Sequence, residues 1–371
     1  MNKMKRLLPM LAAVCMAVSC RQERAPQSTS IIPSTIEWEE ASIDKMPLSK
    51  LFPGARAIRL ETNDSCLIGR NGKVVRFDSL LFVQSANDIL VFSDEGKFRH
   101  RISHAGNAPQ EYVQLYDFCV QREEARLAVW VSTYGGIQVY DATDGHFLRH
   151  LPIEGHVNQF CPVNDSTVLV VAPEETVFKV CRPDGTVRKR FLKKDLANSG
   201  QKICQFTRCD RGTLYQLDDT RQAVLYDAQY DACAVVDLLP PQDGVLTMAD
   251  NQTYYERYGF MNHPQKIAEQ FVRLSSFKVH GHQIWLTTKH PDGRNVLTLF
   301  QDGRCTSYEY FPKAVSLQND LISTTDLRFL STLICCDSNI GFLFLVSSDL
   351  MQPADMEQEE ENPVLLVVDC P

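Results

Sequence analysis

An apolar strand, a tight turn, usually Asp-Gly, and a second, more polar strand recur along the chain, and such repetition limits the fold more than any other feature of the sequence. The copies read ILVFSDEGKFRHRI (89–102), IQVYDATDGHFLRHL (137–151), VFKVCRPDGTVRKRF (177–191), VLYDAQYDACAVVDL (224–238) and VLTLFQDGRCTSYEYF (296–311). Asp-Gly supplies the positive φ that a tight turn needs, so each copy is read as a β-hairpin. Two further strand-like runs precede each hairpin, among them VVRF and LLFVQ before the first and SSFKV and QIWLTT before the last. Four short strands per unit form the pattern of a propeller blade. The units fall near 72–103, 115–152, 158–192, 205–238 and 273–311.

A sixth unit starts near residue 325 with TLICC, GFLFLV and VLLVV (364–368), and it lacks an outer strand. The run RAIRLET (56–62) belongs to no other unit. Placing it in the sixth unit closes a ring and removes the open sheet edges that invite aggregation. The expected fold is therefore all-β, a six-bladed β-propeller over residues 55–371 closed by an N-terminal strand. Two insertions interrupt it. Residues 240–272 have helix-compatible spacing at Tyr254/Tyr258 and Ile267/Phe271, which predicts a partly helical insertion. Residues 349–363, DLMQPADMEQEEENP, read as a solvated acidic loop.

The N-terminus has the three parts of a secretory signal: cationic Lys3, Lys5 and Arg6, an apolar run from Leu7 to Val18, and small residues before a cysteine. The run is too short to span a bilayer stably. Ala17-Val18-Ser19-Cys20 resembles the lipobox of bacterial lipoproteins. That resemblance implies cleavage after residue 19 and lipid on Cys20; residues 20–54 are read as a tether, because 21–35 are polar and rich in Ser, Thr and Pro. Two acyl chains anchor a protein stably where one does not. The expected location is the cell envelope, lipid-anchored and at the outer membrane, with the periplasmic and surface sides both open.

The chain carries 38 Lys+Arg against 46 Asp+Glu, a net charge of −8. Loss of the signal's three cations makes the mature chain more acidic still, which argues against nucleic acid as a partner. Thirteen cysteines are present. No CxxC occurs, and most of them sit in apolar strand-like runs, where a thiol behaves as a small hydrophobe.

The linker HAGNAPQEYVQLYDFCV (104–120), with Gly106, Pro109, Glu111 and Tyr112 in place, resembles the repeat linker of NHL-type propellers. The mature chain as a whole is similar to six-bladed β-propeller lipoproteins of unknown function. The resemblance implies a fold and an envelope location, and no activity. By chemistry alone the candidate sites are few. Among the tyrosines of the insertion, Tyr254, Tyr255 and Tyr258 pair flat apolar rings with polar tips and suit a glycan or protein partner, unless they pack the insertion onto the blades. Glu111 and Tyr112 are linker candidates whose alternative role is to cap the turn and pack between blades. The inner strands offer Asp117, Asn158, Gln159 and Asp210, too irregular a set for a preformed metal cage. The pairs His280/His282 and Asp218/Asp219 are isolated in sequence. No nucleophile elbow or Walker loop occurs.

No catalytic residue, metal or cofactor is therefore assigned. The expected function is a membrane-anchored binding module for an envelope protein or glycan, and the alternative is a metal-dependent hydrolase or lyase of the six-bladed propeller type. Replacing Cys20 by Ser is expected to move the protein from the membrane to the soluble fraction in a folded state, as read by fractionation and circular dichroism. Continued membrane association of the variant would contradict lipidation at Cys20.

Overall fold

The computed structural model describes residues 45–69, 71–124, 126–172, 176–193, 205–239, 244–280, 282–311, 317–318, 320–322, 327, 330, 342–346 and 361–368. The signal, Cys20, the run TLICC (332–336) and most of the acidic segment lie outside them.

The fold is all-β and propeller-like. It opens with β1 (Met46–Pro47), α1 (Leu48–Leu51) and β2 (Ala55–Arg59). Five antiparallel sheets follow, each laid down in chain order from its first strand to its last. They are β3 (Asn71–Phe77), β4 (Leu80–Ser85), β5 (Asp88–Ser93) and β6 (Phe98–Ser103); then β7 (Asp117–Glu123), β8 (Arg126–Asp141) and β9 (Phe147–His156). Next come β10 (Gln159–Asn164), β11 (Thr167–Val171), β12 (Thr176–Cys181) and β13 (Val187–Lys193), then β14 (Phe206–Cys209), β15 (Gly212–Gln216), β16 (Gln222–Asp227) and β17 (Ala232–Asp237). Helical segment α2 (Met248–Gln270) precedes the fifth sheet, β18 (Arg273–His280), β19 (Gln283–Lys289), β20 (Asn295–Gln301) and β21 (Arg304–Phe311). Strands β22 (Leu317–Gln318), β23 (Phe342–Val346) and β24 (Val364–Val368) complete the described elements. The second sheet has three strands because β8 runs through its turn at Gly135-Gly136 and pairs with β7 before it and β9 after it.

Burial explains the repeat. Each sheet is covered on both faces by its neighbours, so its middle strands read as unbroken apolar runs, as in TVLVV of β11, where every residue is buried. Outer strands meet solvent on one side and alternate, as FRHRIS does in β6. The five recurring segments are the last hairpins of the five sheets. In the β20–β21 turn, Asp302 and Gly303 both have positive φ, 52° and 75°, as a two-residue hairpin loop requires. Of the two copies without Asp-Gly, 224–238 turns at Asp231, whose φ is 47°, and 89–102 at Gly96, whose φ is 85°.

Strand β2 pairs antiparallel with β24, and β24 with β23, in one three-stranded sheet. Ile58 and Leu60 from the N-terminal side and Leu365 and Val367 from the C-terminal side pack against Val74, Leu81 and Phe92 of the first sheet. Gly96, at the turn of β5–β6, has φ 85° and lies so close to this seam that an added Cβ would stand 2.1 Å from the Arg59 carbonyl oxygen. The Glu61 amide donates to the Gly96 carbonyl at 2.8 Å.

Two expectations need correction. Residues 46–54 are not free tether: Leu48 and Phe52 are 0% and 2% exposed, and the Phe52 ring stacks on Trp285 at 4.9 Å. Their apolar side chains fill a core between the fifth sheet and β24, so the folded chain includes Met46. The end of the acidic segment is not solvated either. Asn362 is 4% exposed; its Nδ2 donates to the carbonyls of Glu61 and Cys66 at 2.6 and 2.8 Å, and its Oδ1 accepts from the Ile68 amide at 2.6 Å. Asn362→Ala strands three backbone groups at the seam and is expected to lower unfolding free energy by about 2–4 kcal/mol, readable as a shift of the urea midpoint.

Candidate functional site

The first strands of the five sheets, β3, β7, β10, β14 and β18, stand around a central cavity of about 570 Å³. Side chains tie each strand to the next. Lys73 of β3 pairs with Asp117 of β7 at 2.9 Å, both nearly buried. The second oxygen of Asp117 accepts from the Phe160 amide of β10 at 3.2 Å. Gln159 of β10 donates to Gln205, just before β14, at 2.7 Å, and Gln205 also accepts from the Tyr215 hydroxyl at 3.2 Å. Thr207 of β14 donates to the Phe277 carbonyl of β18 at 3.1 Å, and Lys278 of β18 donates back to the Phe206 carbonyl at 2.9 Å. A buried polar group is costly unless bonded, so this belt both orders the hub and leaves a polar wall.

Lys73, Asp117 and Gln159 mark the closed end of the cavity, and exposed Arg122, Asp165, Arg208 and Asp210 lie where the first strands end. The mouth thus lies on the side of the turns that follow those strands. Arg208 donates to the Pro162 carbonyl at 3.0 Å, which props its guanidinium along the rim. Cys119, Cys161 and Cys209 also line the wall, and burial raises the thiol pKa of Cys161 and Cys209, which keeps them protonated and slow to react.

Of the inner-strand residues singled out in the sequence, Asp117, Gln159 and Asp210 line the cavity together, and Asn158 does not. Asp117 is engaged by Lys73 and two backbone amides. Lys73, Lys278 and Arg208 escaped sequence reasoning; cations at the channel end of otherwise apolar strands were the available signal.

Glu111 and Tyr112 act within the linker. The Glu111 carboxylate accepts from the Ala108 amide at 2.9 Å, and Gly106 is needed because a Cβ there would meet that carboxylate at 2.0 Å. Tyr112 is 1% exposed and its hydroxyl donates to the Asn87 carbonyl at 2.8 Å, so it is closed to a ligand. In α2, Tyr254 packs on Tyr258 at 5.5 Å and on Phe271 at 5.3 Å and bonds Gln270, while Tyr255 is 38% exposed. The insertion joins the end of β17 to the start of β18, which puts it on the face opposite the cavity mouth.

Asp218 and Asp219 form a turn in which Asp219 lies 4.0 Å from Arg273. Asp141, Asp144 and His146 cluster on the exposed β8–β9 turn, where Asp144 pairs with His146 at 2.6 Å. His282 is exposed, and the side chain of His280 lies outside the described residues.

A family model described as a domain of unknown function, DUF4934, matches residues 33–225, just over half of the chain. The chain belongs to this family. The DUF4934 match runs from before β1 into β16, so it takes in the first three sheets and part of the fourth. The crystal structure of a Bacteroides fragilis protein described as exported superposes with a TM-score of 0.66 at 15% identity, over 90% of this chain and 98% of that one. A member of the DUF4221 family from Bacteroides vulgatus gives a TM-score of 0.47 at 7% identity, over 84% and 95% of the two chains. No curated protein matches. The B. fragilis likeness supports the propeller-like fold and, at that identity, nothing finer.

Asp117→Ala takes from Lys73 its carboxylate and from the Phe118 and Phe160 amides their acceptor. Breaking such a buried pair is expected to cost about 3–5 kcal/mol, whereas the paired replacement Lys73→Met with Asp117→Leu is expected to recover much of the loss in denaturant titrations.

Proposed function

We propose that this chain is an exported lipoprotein, anchored through Cys20 to the outer membrane, whose propeller is a non-enzymatic binding module. The β2, β24 and β23 sheet counts as a sixth blade. What carries the binding reading is the cavity at the hub. Its volume of about 570 Å³ suits a ligand of a few sugar rings, and its groups converge from five strands on a rigid frame. Hydroxyl-rich ligands are held by the kinds of group found there: amides of Gln121 and Gln159, the guanidinium of Arg208, and carboxylates at the rim. Asp117, the deepest carboxylate, is already committed to three donors, which suits a wall that binds and orients better than one that exchanges protons with a substrate. An envelope glycan presenting a chain end to the mouth is the partner class these groups favour, in place of the tyrosines of α2.

Screening soluble oligosaccharides and cell-envelope glycans by thermal shift and calorimetry is expected to yield a saturable ligand. Arg208→Ala and Gln121→Ala should each weaken it by about tenfold without unfolding the protein, as loss of a hydrogen bond to a charged or amide donor does. A ligand whose affinity is unchanged in both variants, and lost in Tyr255→Ala, would move the site to the opposite face.

A further inference from the structure

Six of the seven exposed large apolar side chains among the described residues lie toward one face of the molecule. In each antiparallel sheet the first strand begins, the second and third are joined, and the fourth ends on the same side. Leu67 and Val113 lie in the links that lead into β3 and β7, Tyr134 in the turn of β8, and Tyr255, Phe260 and Met261 in α2. Only Tyr230, in the β16–β17 turn, lies on the side of the cavity mouth.

The N-terminal segment joins the fold against the fifth sheet. Strand β1 pairs in parallel with β22, which follows the last strand of the fifth sheet, while α2 precedes the first strand of that sheet. Met46 thus stands beside the connection that leaves the fifth sheet, whose last strand ends on the side that carries α2. Some 25 residues separate Cys20 from the first described residue. A random-coil chain of that length spans about 25–30 Å on average.

The insertion is built to project. Its base is pinned: the Leu246 amide donates to the Val272 carbonyl at 2.9 Å, the Leu246 carbonyl accepts from the Arg221 amide at 3.0 Å, and Thr247 and Asp250 form a capping box. Gly259, at φ 71° and ψ 170°, breaks the helix into two arms. The first arm, residues 248–258, is about 16 Å long. Beyond the break stand Phe260 and Met261, 63% and 83% exposed, with Tyr255 against His263 beside them at 5.2 Å. Adjacent Phe and Met at an exposed bend are poorly served by water, and tyrosine prefers the boundary between apolar and polar media.

We propose that the Phe260-Met261 tip of α2 inserts into the bilayer surface that holds the lipid on Cys20, as a second membrane contact that turns the cavity mouth away from the membrane. This rests on the lipoprotein reading above. A weak apolar contact suffices, because the anchor makes its insertion intramolecular and keeps the tip at high local concentration.

The test uses the full-length lipidated protein in phosphatidylethanolamine/phosphatidylglycerol vesicles, with Phe260→Trp as reporter. The wild type, whose described tryptophans Trp130 and Trp285 are each 5% exposed, sets the baseline. The emission added by Trp is expected to shift to the blue and to fall about twofold when the vesicles contain lipid brominated near the headgroup, as an interfacial ring requires. Vesicle-bound protein whose added emission stays water-like and unquenched overturns the proposal and leaves the anchor standing. Protein that neither sediments with vesicles nor carries lipid on Cys20 by mass removes the lipoprotein reading itself. A blue shift in the Cys20→Ser, Phe260→Trp chain without vesicles, growing with protein concentration, would assign the tip to a second copy of the chain and overturn the membrane contact.

Discussion

Pairing of β2 with β24 is the contact on which the rest of the molecule depends. Sheets stacked face to face, each apolar on both sides, leave two bare faces wherever the stack begins and ends. Here the first and last described strands of the large sheets share one sheet, whose faces are packed on one side by the first sheet and on the other by the fifth. Asn362 locks this seam by taking up two carbonyls and one amide of the segment 61–68, about 300 residues away in sequence. Contacts of such separation carry a large loop-closure entropy, so the seam gains from neighbours already in place.

The hub belt serves a related purpose at the axis. Sheets are joined to one another mainly by apolar packing, which does not set a rotation by itself. Lys73 to Asp117, Gln159 to Gln205 and Thr207 to Phe277 fix the relative height of successive first strands through directional bonds. The same bonds line the cavity, so the groups that define the fold at the centre also form its wall. Rim residues such as Arg208 and Gln121 stand outside this belt and can change without disturbing it.

Much of the architecture was legible in one dimension. Strand periodicity and tight-turn residues, Asp-Gly in three of the five, located the hairpins because both follow from local backbone geometry and two-sided burial. Glu111 and Tyr112 resisted assignment between turn and ligand roles, since the deciding facts are the bond to Ala108 and the burial under neighbouring strands. The tyrosines of the insertion looked alike in sequence. Tertiary contact separates Tyr254, packed against Phe271, from Tyr255, which faces outward. The stretch 46–54 fell within the tether because it belongs to no repeat unit; Leu48 and Phe52 acquire a role only when Trp285 is brought beside them.

The sequence by itself determined that the chain repeats a hairpin-bearing unit, that RAIRLET is a spare strand, and that the first twenty residues have the form of a lipoprotein signal. Those conclusions rest on local rules of turn geometry, alternation and segment polarity. Only the tertiary structure decided which cations meet at the hub, that the cavity mouth and α2 occupy opposite faces, and that Asn362 holds the seam. These depend on side chains tens to hundreds of residues apart converging in space, and nothing in their sequence spacing encodes that convergence.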